Sequence, residues 1–208
     1  MSARPPAEFD FPLSWAGPDG IGESHFDEVA EAARLDVEGD DPAVALRRTL
    51  GMFATGVTVV TTLKGEQVHG MTANAFMSVS LEPPLVLVSI DRRTRMCGLL
   101  HVGGHYGVSV LCETQSALSD RFAGRAGELP EPRFELVRGT PLVDGALAHF
   151  VARVEHSYWG GDHSLFLGRG EYARQHPGTP LLFHGGRYER LGNAGASAGQ
   201  PSRLGVVW

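Results

Sequence analysis

Apolar positions along this chain recur first at helical spacing and then, from about residue 57, at the spacing of strands. Phe26, Val29, Ala30, Ala33 and Val37 follow a Ser24/Asp27 capping-box pattern and predict a helix. A second helix is expected after Asp41, with Pro42 in its first position, Leu46, Leu50 and Phe53 as its apolar stripe, and Gly56 at its end. VTVVTTL (57–63) is rich in β-branched residues, and LKGEQV supplies a tight turn before His69. LVLVSI (85–90) has no polar alternation, which predicts a strand buried on both faces. Residues 92–101 predict a short helix, YGVSVL (106–111) a strand, and TQSALSDRFAG a helix stopped by Gly124. AHFVARVEHSYWGGDHSLFLGRGEYARQ reads as two strands joined at Gly160-Gly161-Asp162-His163, and LLFHGGRYERL as a last hairpin. Many strands, few helices and no βα alternation predict a mainly β fold, an antiparallel barrel.

The flanks differ from this middle. Residues 1–23 carry Pro5, Pro6, Pro12 and Pro18 around Phe9, Phe11 and Trp15, and read as an extended arm. The expected organisation is an N-terminal extension with one helix (1–41), a barrel domain (42–191) and a flexible Gly/Ser/Ala-rich tail (192–208). The 208 residues hold 42% hydrophobic and 20% charged residues, ordinary values for a globular domain. A net charge of −6 disfavours non-specific attraction to nucleic acid or anionic membranes. No apolar run approaches the roughly 20 residues of a membrane span, and the N-terminus lacks a signal-peptide core, so a cytoplasmic location is expected. Cys97 and Cys112 make no disulfide framework or thiolate metal site and are expected as buried thiols. His101 and His105 have no nearby third ligand, so no metal is expected.

The chain has no dinucleotide-binding G-x-G-x-x-G, Walker loop, G-x-S-x-G elbow or H-E-x-x-H helix. Instead, GMTANAFMSVS (70–80) collects small and hydroxylated residues that would let a flat ring approach the backbone. A tight barrel turn explains the small residues equally well, but not Asn74. DRRTR (91–95) fits either a solvated cationic loop or a phosphate cradle. GGDHSLFLG (160–168) sets His163 beside Asp162 in a glycine turn that leaves one face of the imidazole open. FHGGRYERL repeats the arrangement with His184, two glycines and Tyr188.

In order along the chain, FATGVTVVTT, GMTANAFMSVSLEPPLVLVSID, GVSVL, RFAG and GDHSLFLG resemble the flavin reductases that serve two-component monooxygenases. The resemblance runs from about Leu46 to Leu191. It implies a Greek-key split β-barrel, a homodimer, and reduction of FMN or FAD by NADH or NADPH, with hydride passing from nicotinamide C4 to flavin N5. It further implies that reduced flavin passes to a separate flavin-dependent oxygenase component. On this resemblance Thr55, Gly56, Val57 and Thr58 border the flavin, and Thr72, Ala73, Asn74 and Ala75 line its ring and ribityl chain. Ser78, Ser80 and the loop Asp91–Arg95 take the phosphate end, Phe122 and Ala123 close the pocket, Tyr188 adds a cofactor contact, and His163 meets the nicotinamide. The rival readings are an oxidase of the pyridoxamine-phosphate type and a non-catalytic flavin- or haem-binding barrel.

Overall fold

Asp41 starts the first helix, α1 (Pro42–Leu50), because its carboxylate accepts from the backbone N–H groups of Ala43 (2.9 Å) and Val44 (3.3 Å). This computed structural model describes residues 41–192, residue 128 excepted. The helix expected after Ser24, the aromatic arm and all of the tail but Gly192 lie outside the described residues. Helix α1 ends at Leu50 under a Gly51 cap, earlier than the Gly56 read from sequence. Gly56 belongs to a strand, β1 (Thr55–Gly56), which pairs with Phe183 and Leu182. Leu46, Leu50 and Phe53 are all exposed, so the expected apolar stripe of α1 has no cover among the described residues.

The barrel is one seven-stranded antiparallel sheet. Its strands are β2 (Thr58–Lys64), β3 (Gln67–Ala73), β4 (Phe76–Leu81), β5 (Pro84–Asp91), β6 (His105–Val110), β9 (Ala148–Gly160) and β10 (His163–Gln175). They lie in the order β3-β2-β6-β9-β10-β5-β4. The two edge strands, β3 and β4, are consecutive in sequence and joined only by Asn74 and Ala75. So short a link makes the sheet curl until its edges approach, and the Ser89 N–H donates to the Ala75 carbonyl at 3.0 Å beside the seam. Val60, Val88, Ile90, Tyr106, Val108, Ala152 and Phe166 fill the interior, with Met96 and Leu100 plugging it from and beside α2 (Arg95–Leu99).

A second apolar cluster, Val57, Val59, Leu111, Val143 and Leu181, lies outside this barrel. It is covered by α3 (Ser116–Phe122), by the hairpin β7 (Phe134–Val137) and β8 (Thr140–Val143), and by the small sheet that β1 forms with β11 (Leu182–His184) and β12 (Arg187–Glu189). The β7–β8 hairpin is absent from the sequence reading, although FELV-RG-TPLV has its pattern. Arg138 and Gly139 both adopt positive φ (51° and 74°), the conformation a two-residue hairpin turn requires. The barrel holds this hairpin at Val143, whose N–H donates to Ser109 Oγ (2.9 Å) and whose carbonyl accepts from His149 Nε2 (2.8 Å).

Two expectations need correction. In β5 only Val86, Val88 and Ile90 are buried, while Leu85, Leu87 and Ser89 are half-buried, because the strand has core on one side only. Cys97 and Cys112 are free but half-buried, since neither α2 nor the turn after β6 is fully enclosed. Strand β10 pairs with β5 in unbroken register from His163↔Asp91 to Arg169↔Leu85. Against β9 its register shifts twice, at Leu167/Gly168 and at Gly170/Tyr172.

Candidate flavin site

The seam between the barrel edges is where the candidate residues meet. Thr58 pairs with Ala73, and its buried hydroxyl donates to the Ala73 carbonyl at 2.6 Å. This fixes the end of β3 against the start of β2, so Gly56 and Val57 lie beside Asn74. Ala75 follows, held to Ser89 as described, and two residues further along β5 Asp91 pairs with His163. Residues 55–58, 73–75, 89–91 and 163 therefore form one continuous strip. Asn74 and Ala75 are exposed on it, Ala73 is buried beneath it, and Gly56 is open, with nothing that a Cβ would meet. Gly56, Asn74 and Ala75 are thus its exposed points, over buried Val57, Thr58, Ala73 and Ile90.

Helix α3 forms a wall over β3. Thr72 donates its hydroxyl proton to the Ser119 carbonyl (2.6 Å). One turn later Phe122 packs so closely on Gly70 that a Cβ there would lie 2.6 Å from its ring. Ala123 caps the helix and is exposed, and Gly124 takes the positive φ (74°) that ends it, as the sequence predicts. Helix α2 approaches β3 from the other direction. Burial and the nearby Arg95 guanidinium, in that order, hold the His69 pKa below its ordinary value. Arg95 itself is exposed.

Charge is concentrated at the far end of the strip. His163 Nδ1 donates to Asp162 Oδ1 at 2.6 Å, and this hydrogen bond keeps the Asp162 carboxyl below its usual range. Asp91, opposite His163, is bound by Arg93 through Nη2 (2.7 Å), Nε (3.1 Å) and its backbone N–H (2.8 Å). The Arg93 side-chain hydrogen bonds are the main reason its carboxyl lies well below the ordinary carboxylate range. The Arg92 N–H donates to the Asp162 carbonyl (3.0 Å), tying the DRRTR loop to the hairpin that carries His163.

Ser78 and Ser80 do not join this group. They pair with Val86 and Leu85, at the opposite end of β5 from Asp91, because β4 and β5 run antiparallel away from the loop. Tyr188 stands on β12. Its hydroxyl lies 2.8 Å from both Ser119 Oγ and Asp120 Oδ1, so it faces α3. Asp120 is a part of the site's frame that the sequence does not single out. Among the described residues, no cluster of three or more His, Cys, Asp or Glu is placed to hold a metal ion.

Comparison with known proteins gives this geometry a family. Residues 50–192 match the model of the flavin reductase like domain. The chain belongs to that family. The flavin reductase family includes an NADH-dependent flavin reductase of Rhodococcus sp, which is 48% identical over 157 residues, covering 73% of this chain and 89% of that protein. The reductase component of 4-hydroxyphenylacetate 3-monooxygenase from Thermus thermophilus is 42% identical over 148 residues, covering 71% of this chain and 95% of its own length. Among solved structures, the NADH:FAD oxidoreductase SgcE6 of Streptomyces globisporus C-1027, in complex with NAD and FAD fragments, superposes with a TM-score of 0.68 at 39% identity. That superposition covers 78% of this chain and 99% of the other. The mainly β split barrel of this flavin reductase is thus the fold of its relatives.

Proposed function

We propose that this protein is an NAD(P)H:flavin oxidoreductase that reduces FMN or FAD and releases the reduced flavin to a partner monooxygenase. The carrying observation is the continuous strip of residues 55–58, 73–75 and 89–91 with His163 at its end. The residues present fit a flavin. Thr55 Oγ1 is buried with no hydrogen-bond partner in the protein, which suits a ligand with polar edges, and exposed Ala75 and Gly56 offer nothing larger than a methyl group to obstruct a ring. Thr55–Thr58 and Thr72–Ala75 would hold the ring and ribityl chain, with Phe122 and Ala123 at the side. Arg95 and its loop would serve the phosphate end.

When bound, the flavin supplies the hydride acceptor and the nicotinamide nucleotide the donor, so the reaction needs no acid–base side chain of its own. The protein's part is to orient and to exclude water. With Nδ1 committed to Asp162, His163 has Nε2 available to orient a nicotinamide carboxamide over the strip. Arg93 neutralises Asp91, which lowers the negative charge that an incoming dinucleotide meets.

A homodimer belongs to the same proposal. Along the edge strand β4, Met77, opposite Leu87, is 57% exposed and Leu81 at the strand's end is 73% exposed. So apolar an edge calls for a cover, and a second copy supplies a self-complementary one. Among the described residues no helix is long and apolar enough to cross a membrane.

The test is steady-state oxidation of NADH and NADPH by purified protein with FMN, FAD and riboflavin in turn. Flavin-dependent oxidation above the uncatalysed rate is expected. Bound flavin without turnover would instead identify a carrier, and no oxidation with any pair would overturn the enzyme reading. Solution mass measured on the same preparation is expected at twice that of the chain.

A further inference from the structure

Tyr188 bridges two walls of the proposed slot that are far apart in sequence. On one side it stands on β12 opposite Phe183, which in turn stands opposite Thr55 on β1. On the other its hydroxyl meets α3. A phenol has one proton, and a carboxylate can only accept, so Tyr188 donates to Asp120 Oδ1 and accepts from the Ser119 hydroxyl, each at 2.8 Å. Arg125 closes the arrangement by pairing with Asp120 at 2.8 Å while its guanidinium stands 5.7 Å from the centre of the Tyr188 ring. Ser119 is fully buried and has its carbonyl bound by Thr72. The helix turn that carries Phe122 is therefore held by β3 from below and by Tyr188 from the side.

We infer that Tyr188 is a positioning residue that sets the spacing between the β1 wall and the α3 wall, and so governs flavin affinity without touching flavin through its hydroxyl. This rests on the reading that residues 55–58 and 122–123 border flavin. Its consequence is selective. Loosening α3 alters the slot for the ring, whereas His163 stands on the β9–β10 hairpin, which the Tyr188 contacts do not reach. The two substrates should therefore respond differently to loss of the hydroxyl. Ser119→Ala should reproduce that loss, because it removes one of the two hydrogen bonds from the other side.

The experiment compares wild type, Tyr188→Phe, Ser119→Ala and the double variant. Steady-state KM is measured for flavin and for the nicotinamide nucleotide, together with Tm. Expected is a rise of about three- to tenfold in KM for flavin in each single variant, with KM for the nucleotide and kcat at saturating flavin within twofold. The double variant should rise less than the product of the two single effects, because both break one bond. An unchanged KM for flavin in folded Tyr188→Phe overturns the inference. So does a parallel rise in both KM values with a falling Tm, which marks a purely structural role. A wild type without flavin-dependent turnover would fail the parent reading instead.

Discussion

Gly70→Ala tests most directly whether α3 walls the site. The added methyl would lie 2.6 Å from Phe122 Cε1 and 2.7 Å from Cδ1, where ordinary contact begins at 3.4 Å. The ring must therefore retreat by about 0.8 Å or swing away. It packs edge-on against Phe134, centroids 6.2 Å apart, so retreat in that direction compresses the second apolar cluster. Overpacking of this kind costs about 1–3 kcal/mol, and a half-buried ring that can swing places Gly70→Ala toward the lower end. Swinging would carry Phe122 away from the Ala73–Ala75 strip. Expected, then, is a modest loss in urea-unfolding midpoint together with weaker flavin binding, measured by quenching of flavin fluorescence. Gly70→Ala/Phe122→Leu supplies room for the methyl and should recover stability but not flavin affinity, because the aromatic wall is gone. A single variant that loses stability yet binds flavin as the wild type does would refute Phe122 as part of the pocket.

His163→Ala should raise KM for NADH and lower kcat/KM for it by roughly tenfold to a hundredfold, with flavin affinity and Tm nearly unchanged because the Asp162 pair is exposed; normal NADH kinetics would remove His163 from the site. His149 gives a pH test. Its ring is 1% exposed, and burial lowers its pKa from 6.5 although Glu135, 3.1 Å from Nδ1, pulls the other way. The unfolded chain therefore binds this proton more readily than the folded one, so the contribution is complete above about pH 6.5 and is lost as pH falls below it. Tm should drop on acidification from neutral pH, and less steeply in His149→Gln, which keeps an N–H for Val143 but does not titrate; equal slopes would contradict the assignment.

Period and turn chemistry made much of this fold legible. The β9–β10 hairpin, the Gly124 stop and the His163 turn all follow from local pattern. The end of α1 was misjudged because Gly56 reads as a stop signal, whereas pairing with β11, over a hundred residues away, makes it a strand. The pairing of Ser78 and Ser80 with the Leu85–Val86 end of β5 is likewise set by strand direction, which the residue types do not announce. The contact of the Tyr188 hydroxyl with α3 is not legible either, since no local pattern says which side of a three-stranded sheet that hydroxyl serves. The bridging role of Ser119 is not legible in sequence, because its two partners, Thr72 and Tyr188, are brought to it only by the folded chain.

The unequal pairing of β10 bears on how this protein tolerates insertion and deletion. Its partnership with β5 runs without a break from Asp91 to Leu85, while its partnership with β9 already absorbs two irregularities. The side of the sheet on which His163 emerges is therefore dictated by β5. A residue lost from β9 can be taken up at an existing bulge, leaving the imidazole where it was. A residue lost from β5 between Leu85 and Asp91 would exchange the outward row for the inward one, turning His163 toward the core and Ser164 outward. Length variation should thus accumulate in β9, while β5 keeps its length.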